Sequence, residues 1–79
     1  MYFVYILQSQ KTFRYYCGSC NNVENRLQRH NSGQVTSTKH GVPWVVIHSE
    51  SFNTRAEAYR KEMKIKKRGI KRYLTDIGI

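Results

Sequence analysis

Five side chains, spread over most of a 79-residue chain, carry chemistry that packing alone does not call for. Tyr5 and Tyr16 offer phenols, Arg26 a guanidinium, His30 an imidazole and Glu62 a carboxylate. A phenol and an imidazole can move protons at a reacting centre. A guanidinium can steady a phosphate that is losing its leaving group, and a carboxylate can hold a divalent cation. Together they are the set that phosphodiester hydrolysis with one metal ion needs. Each also has an ordinary reading. The tyrosines fit a core face with hydroxyls reaching the surface. Arg26 fits a solvated charge, His30 a basic group at a helix C-terminus, and Glu62 an i,i+4 ion pair with Lys66.

The elements that must position these groups can be read along the chain. Tyr2–Leu7 and Phe13–Gly18 are aromatic and β-branched runs separated by a polar patch, which predicts a β-hairpin. With Gln10-Lys11 as its loop, Ser9 pairs with Thr12 and Tyr5 stands directly opposite Tyr16. Asn21, followed three residues later by Glu24, predicts a helix start, with the helix running to about Asn31 and ending before Gly33. Val23 and Leu27 form its buried stripe, and Arg26 and His30 flank that stripe on one side. Residues 32–41 read as a connection, in which Ser37, Thr38, Lys39 and His40 suit a phosphate.

A third strand is expected at Trp44–Glu50, apolar on both faces between Trp44 and Ile47. Thr54 with Glu57 is a capping box for a second helix reaching Lys67. Ala58, Tyr59, Met63 and Ile65 form its apolar stripe, with Glu62 inside it. A carboxylate there is costly unless it is paired or binds a cation. Beyond the break at Gly69, a short basic helix is anchored by Ile70, Tyr73 and Leu74. The expected fold class is therefore α+β, in one domain over residues 1–79. A three-stranded, mostly antiparallel sheet has the first strand central and helices on both faces, in the order β-β-α-β-α with a terminal helix.

Fourteen Lys and Arg against five Asp and Glu leave a net charge of +9, which points to a polyanionic partner, nucleic acid first. No apolar stretch approaches the ~18 residues of a membrane span, and the apolar start lacks the basic leader of a secretory signal. The expectation is a cytoplasmic protein without a membrane partner, with Cys17 and Cys20 reduced. Their C-x-x-C spacing raises zinc or redox chemistry. His30 and His40 lack the spacing of common zinc motifs, and Cys17 lies within a predicted strand.

In this arrangement the sequence resembles a small, stand-alone member of the GIY-YIG nuclease superfamily. The first signature tripeptide falls on Phe3-Val4-Tyr5 and the second on Tyr16-Cys17-Gly18. The helix arginine falls on Arg26, a histidine one turn later on His30, and the second-helix glutamate on Glu62, with Lys66 a turn beyond. Asn31-Ser32-Gly33 matches a further feature of small members. The likeness covers about residues 2 to 67, and all five positions occur in order at family spacing. Phe3 replaces a glycine and Cys17 an isoleucine.

The resemblance implies a metal-dependent endonuclease acting on DNA in repair or processing. A water deprotonated by Tyr5, or through His30, would attack phosphorus in line. Arg26 and Tyr16 would steady the phosphate, and Glu62 would hold one Mg²⁺ or Mn²⁺. Lys39, His40, Arg55 and Lys66 are the expected nucleic-acid contacts. With little surface for choosing a sequence, the protein is expected to cut weakly, to prefer branched or single-stranded substrates, or to need a protein partner for targeting. A non-catalytic nucleic-acid-binding module and a small protein-interaction domain are the competing readings. The first two readings require binding to DNA that weakens steeply with salt, by about tenfold or more between 50 and 200 mM, as fluorescence anisotropy would show. Absence of binding at low salt would favour the interaction domain.

Overall fold

The computed structural model describes all residues, Met1–Ile79. The strands are β1 (Tyr2–Ser9), β2 (Tyr15–Cys20) and β3 (Trp44–Phe52); the helices are α1 (Val23–Asn31), α2 (Arg55–Arg68) and α3 (Ile70–Asp76). The sheet order is β2-β1-β3, with both pairings antiparallel, so β1 is central as expected. Because β1 is covered on both faces, Val4, Tyr5, Ile6 and Leu7 are all buried. Val4, Ile6 and Cys17 pack beneath α2 and α3 with Ala58, Ile65 and Leu74. Tyr5, Leu7, Cys20 and Trp44 form the opposite core, against which Val23 and Leu27 of α1 pack. Phe3, at the position of the signature glycine, packs into this second core.

The hairpin register differs from the expected one. Tyr5 pairs with Gly18 and Leu7 with Tyr16, because the loop has four residues rather than two. Ser9 builds that loop. Its Oγ accepts the Lys11 and Thr12 N–H groups at 3.0 and 2.9 Å and donates to the Gly41 carbonyl at 2.6 Å. Phe13 closes the loop at φ 64°, a left-handed conformation that costs a non-glycine residue about 1–2 kcal/mol. The shift of two residues keeps Tyr5 and Tyr16 on the same face, though diagonal to one another.

Other details also differ from those expected. Asn22, not Asn21, caps α1, its side chain accepting the Asn25 N–H at 2.9 Å. β3 runs on to Phe52 and bulges at Ile47, which lies unpaired between the Ile6–His48 and Leu7–Val46 pairs. Val46 is exposed, so the expected apolarity of both faces does not extend along this edge strand. The buried line of α2 is narrower than expected: Ala58, Glu62 and Ile65 are buried, whereas Tyr59 and Met63 face solvent. The expected connection between α1 and β3 includes a short 3₁₀ turn at Lys39–Gly41.

The expected capping box of α2 forms. Thr54 Oγ1 accepts the Glu57 N–H at 3.2 Å and Glu57 Oε1 accepts the Thr54 N–H at 3.1 Å. A cap of this kind is worth about 1 kcal/mol. α3 is held by buried Leu74 and by the Tyr73 hydroxyl, which donates to the Glu50 carboxylate on β3. No helix is long and apolar enough to cross a membrane.

Gly18 is the most constrained backbone position near the tyrosines. A Cβ there would lie 2.7 Å from Tyr5 Oη and 2.9 Å from Tyr5 Cζ. The ring is 1% exposed and packs in the core with Leu7, Cys20 and Trp44. Gly18→Ala is expected to destabilise the fold by about 1–3 kcal/mol, seen as a lower denaturant midpoint; an unchanged midpoint would show that the ring can move.

Candidate active site

The innermost part of the site is a chain of three side chains. Tyr5 Oη lies 3.1 Å from His30 Nε2, and His30 Nδ1 lies 2.8 Å from Thr38 Oγ1. Thr38 Oγ1 is in turn 3.4 Å from the Val35 carbonyl. One assignment gives every donor an acceptor. Tyr5 donates to Nε2, Nδ1–H donates to Thr38, and Thr38 donates to Val35. The reverse direction would leave the buried phenol's proton without an acceptor. All three side chains are essentially sealed from solvent. Burial first, then the charges of Arg26 and Arg29, lower the His30 pKa, so the ring is neutral near pH 7. Burial and the neighbouring Tyr16 push the Tyr5 phenol well above its ordinary value, with Arg26 pulling the other way.

Tyr16 completes this group from the solvent side. Its ring meets His30 edge-on at 4.8 Å between centroids and lies 6.3 Å from the Tyr5 ring. Tyr16 and Arg26 are half-buried, so both are accessible from outside where Tyr5 is not. Asn31 fixes the end of α1 against β3. Its Oδ1 accepts the Trp44 N–H at 2.6 Å and its Nδ2 donates to the Trp44 carbonyl at 3.0 Å. The Trp44 indole N–H donates to the Thr38 carbonyl at 2.8 Å and so holds the end of the three-residue chain.

Glu62 lies on the other face of the sheet. It is 8% exposed. One carboxylate oxygen accepts the Ser19 hydroxyl at 2.7 Å and the other meets Lys66 Nζ at 2.7 Å. The expected Glu62–Lys66 pair therefore exists, and its lysine is 44% exposed. Each oxygen keeps a lone pair beyond these bonds. Near the end of β2 a cleft of about 580 Å³ is lined by Arg26 from α1, Ser19 and Asn21 from β2 and its end, and Arg55 and Ala58 from α2; it reaches Ser19, the partner of Glu62, while Tyr5, Tyr16, His30 and Glu62 do not line it. The structure thus groups Tyr5, Tyr16 and His30 on one face and places Glu62 on the other.

The expected nucleic-acid contacts divide in the same way. Arg55 lies in the cleft beside Arg26, stacked 5.4 Å from the Tyr2 ring centroid. Lys66 is engaged with Glu62. Lys39 and His40 are exposed on the 3₁₀ turn, and His40 lines a second cleft with Arg14 and Tyr16. Thr38, expected among the solvated residues of that connection, is buried instead. Ser19 was not anticipated as a site residue, and Thr38 was expected only among the phosphate-suited residues of the connection, not as the partner of His30. Ser19 shares a face with Cys17 by strand alternation and could have been found that way, whereas nothing local links Thr38 to His30. Cys17 and Cys20 point into opposite cores, and no group of three metal-binding side chains includes either. Burial pushes the Cys17 thiol up to about 12.

With this geometry in place, the class of the protein is clear. The family model described as the GIY-YIG catalytic domain matches residues 1–73, and the chain belongs to the GIY-YIG nuclease superfamily. Its relatives include a UPF0213 protein of Halobacterium salinarum, 34% identical over 84% of this chain and 86% of the relative. A UPF0213 protein of Syntrophus aciditrophicus is 40% identical over 82% of this chain and 76% of that one. The solution NMR structure of a UPF0213 protein from Bacillus halodurans superposes with a TM-score of 0.59 at 27% identity, covering 99% of this chain and 86% of that one.

The neutral, buried His30 makes stability depend on pH. Its folded pKa lies below the ordinary value near ~6.5. As pH falls below that value, the unfolded chain takes up a proton that the fold refuses, and stability declines. Glu50, whose carboxyl is held low by hydrogen bonds from Tyr73 and His48 against the effect of burial, loses its contribution only at more acid pH, below its ordinary value. Thermal unfolding followed by circular dichroism should therefore show a falling Tm from pH 7 to 5, and a shallower fall in His30→Gln. A flat wild-type profile would contradict this.

Proposed function

We propose that this protein is a divalent-metal-dependent endonuclease that hydrolyses DNA phosphodiester bonds, in repair or processing. The reading rests most on Glu62. It is a nearly buried carboxylate on a helix that is otherwise strongly basic, placed behind the cleft that holds Arg26. Eight of the fourteen Lys and Arg residues fall between Arg60 and Arg72, so the field around Glu62 draws in a polyanion. The carboxylate would then lie close to bound phosphate, an arrangement that electrostatics disfavours unless a cation intervenes.

The donor set suits a hard ion of the Mg²⁺ or Mn²⁺ kind, which takes one carboxylate and fills its remaining positions with water and substrate phosphate oxygens. Glu62 would hold it, and when bound it would supply Lewis-acid stabilisation of charge on the leaving oxygen. Arg26 and Arg55 bind and orient the phosphate in the cleft. Tyr16 is the phenol that substrate or its attacking water can reach. Tyr5, 1% exposed, acts from behind as a positioning residue. Its hydrogen bond to His30 fixes the imidazole against which Tyr16 packs. A protein partner for targeting would supply the sequence or structure selection that so small a surface lacks.

Glu62→Gln keeps the shape and the Ser19 contact but removes the charge. Plasmid nicking in Mg²⁺ or Mn²⁺ should fall by about 100-fold or more, on the scale of losing one main electrostatic stabiliser. DNA binding should stay within about threefold. Cleavage that survives the substitution would overturn the metal role. Binding without cleavage in the wild type, with either ion, would instead support a non-catalytic binding module.

A further inference from the structure

Two side chains hold the Glu62 carboxylate, and they do so in unlike ways. The Ser19 hydroxyl donates to one oxygen at 2.7 Å, and Lys66 Nζ donates to the other at 2.7 Å. Ser19 is neutral, short and fixed. Its backbone pairs with Val4 of the central strand, and Val4 is wholly buried. A serine hydroxyl lies one staggered torsion from the backbone, so a strand held in this register presents the donor from one place. Lys66 is charged and long. Its ammonium ends a flexible four-carbon stem, and the side chain is 44% exposed against 11% for that of Glu62. Glu62 is its one ion-pair partner.

The two bonds differ in what they leave for a cation. A carboxylate only accepts, so the Ser19 proton is committed to Glu62. That bond brings no charge with it, and a cation on Glu62 has no cause to break it. Ser19 also lines the cleft that holds Arg26 and Arg55, so it ties the carboxylate to the cleft wall. The ammonium, by contrast, brings a full positive charge to the same group. An ammonium and a divalent ion in contact with one carboxylate repel each other. The lysine leaves at little cost, because a partly exposed i,i+4 pair contributes little. Without Ser19 the carboxylate would be left to Lys66 alone.

We propose that Ser19 is a positioning residue for the cation-holding carboxylate and that Lys66 is a built-in competitor, released when a divalent ion binds. In the metal-free protein the lysine neutralises Glu62. In the loaded protein Ser19 alone keeps the carboxylate in place. The inference rests on the metal role of Glu62 given above and concerns what sets the affinity of that site. An ion pair that served stability only would make the same contacts without tying either residue to metal affinity.

The test is Mn²⁺ binding to the DNA-free protein, read from the electron paramagnetic resonance signal of the free ion, with Glu62→Gln as the blank. Ser19→Ala should weaken binding by about tenfold, the scale of losing a hydrogen bond to a metal-holding side chain. Ser19→Thr keeps the hydroxyl and should stay within about threefold of wild type. Lys66→Met should tighten binding by about three- to fivefold, the worth of a partly exposed ion pair. Lys64→Met removes the same charge from an exposed position on α2 and should change binding by less than about 1.5-fold, since solvent screens it. Wild-type affinity in Ser19→Ala, or Lys66→Met binding no tighter than Lys64→Met, would overturn the proposal and leave the metal role standing. If wild type binds no more Mn²⁺ than Glu62→Gln does, the metal role fails and this inference with it.

Discussion

The contact between Tyr5 and His30, 3.1 Å long and closed to solvent, joins the central strand to the helix on one face of the sheet. Much else follows from it. Tyr5 can stand on a strand buried on both faces only if its hydroxyl finds a partner, because an unpaired buried hydroxyl costs about 1–3 kcal/mol. His30 can be that partner only as a neutral ring whose second nitrogen is also engaged, and Thr38 engages it. Thr38 in turn brings the connection before β3 down onto the core, where the Trp44 indole and the Ser9 hydroxyl hold it. Gly18 leaves the space that the phenol occupies.

A second constraint is topological. The middle strand is covered by helices on both sides, so access for a large substrate exists only at the sheet edges. β2 has a free edge, and the two faces of the sheet carry different chemistry: phenol and imidazole on one, a carboxylate on the other. The basic residues of α2 and the start of α3 extend positive charge beyond Glu62. An anionic chain laid along this edge would meet cations nearly throughout and a carboxylate at one place.

Much of this was legible in the sequence. The order of elements, the central first strand, the capping box at Thr54 and the five candidate positions follow from local pattern and from likeness to the superfamily. The hairpin register was not, because a polar patch without Asn-Gly gives no loop length and the deciding interaction is the Ser9 side chain bonding to Gly41, distant in sequence. The cap moved from Asn21 to Asn22 because two adjacent asparagines are equivalent until the strand end is fixed. Tyr59 and Met63 were expected inside because helical spacing allows a broad stripe, whereas α2 buries only the line Ala58, Glu62 and Ile65. Thr38 was hidden for a related reason: its partner is eight residues away across an irregular segment. Strand alternation already puts Tyr16 and Ser19 on opposite faces of β2, but that Glu62 is the partner of Ser19 depends on how α2 packs, which local pattern does not give.

The central claim is that one cation position, at Glu62, belongs to the same centre as the residues on the opposite face. Titrating Mn²⁺ into isotopically labelled protein and following paramagnetic broadening of amide and side-chain resonances tests it most directly. The account predicts broadening strongest at Glu62 and Ser19 and reaching round the β2 edge to Arg26 and Tyr16. Broadening centred on Glu24, Glu50, Glu57 or Asp76, or spread evenly over the acidic residues, would contradict it.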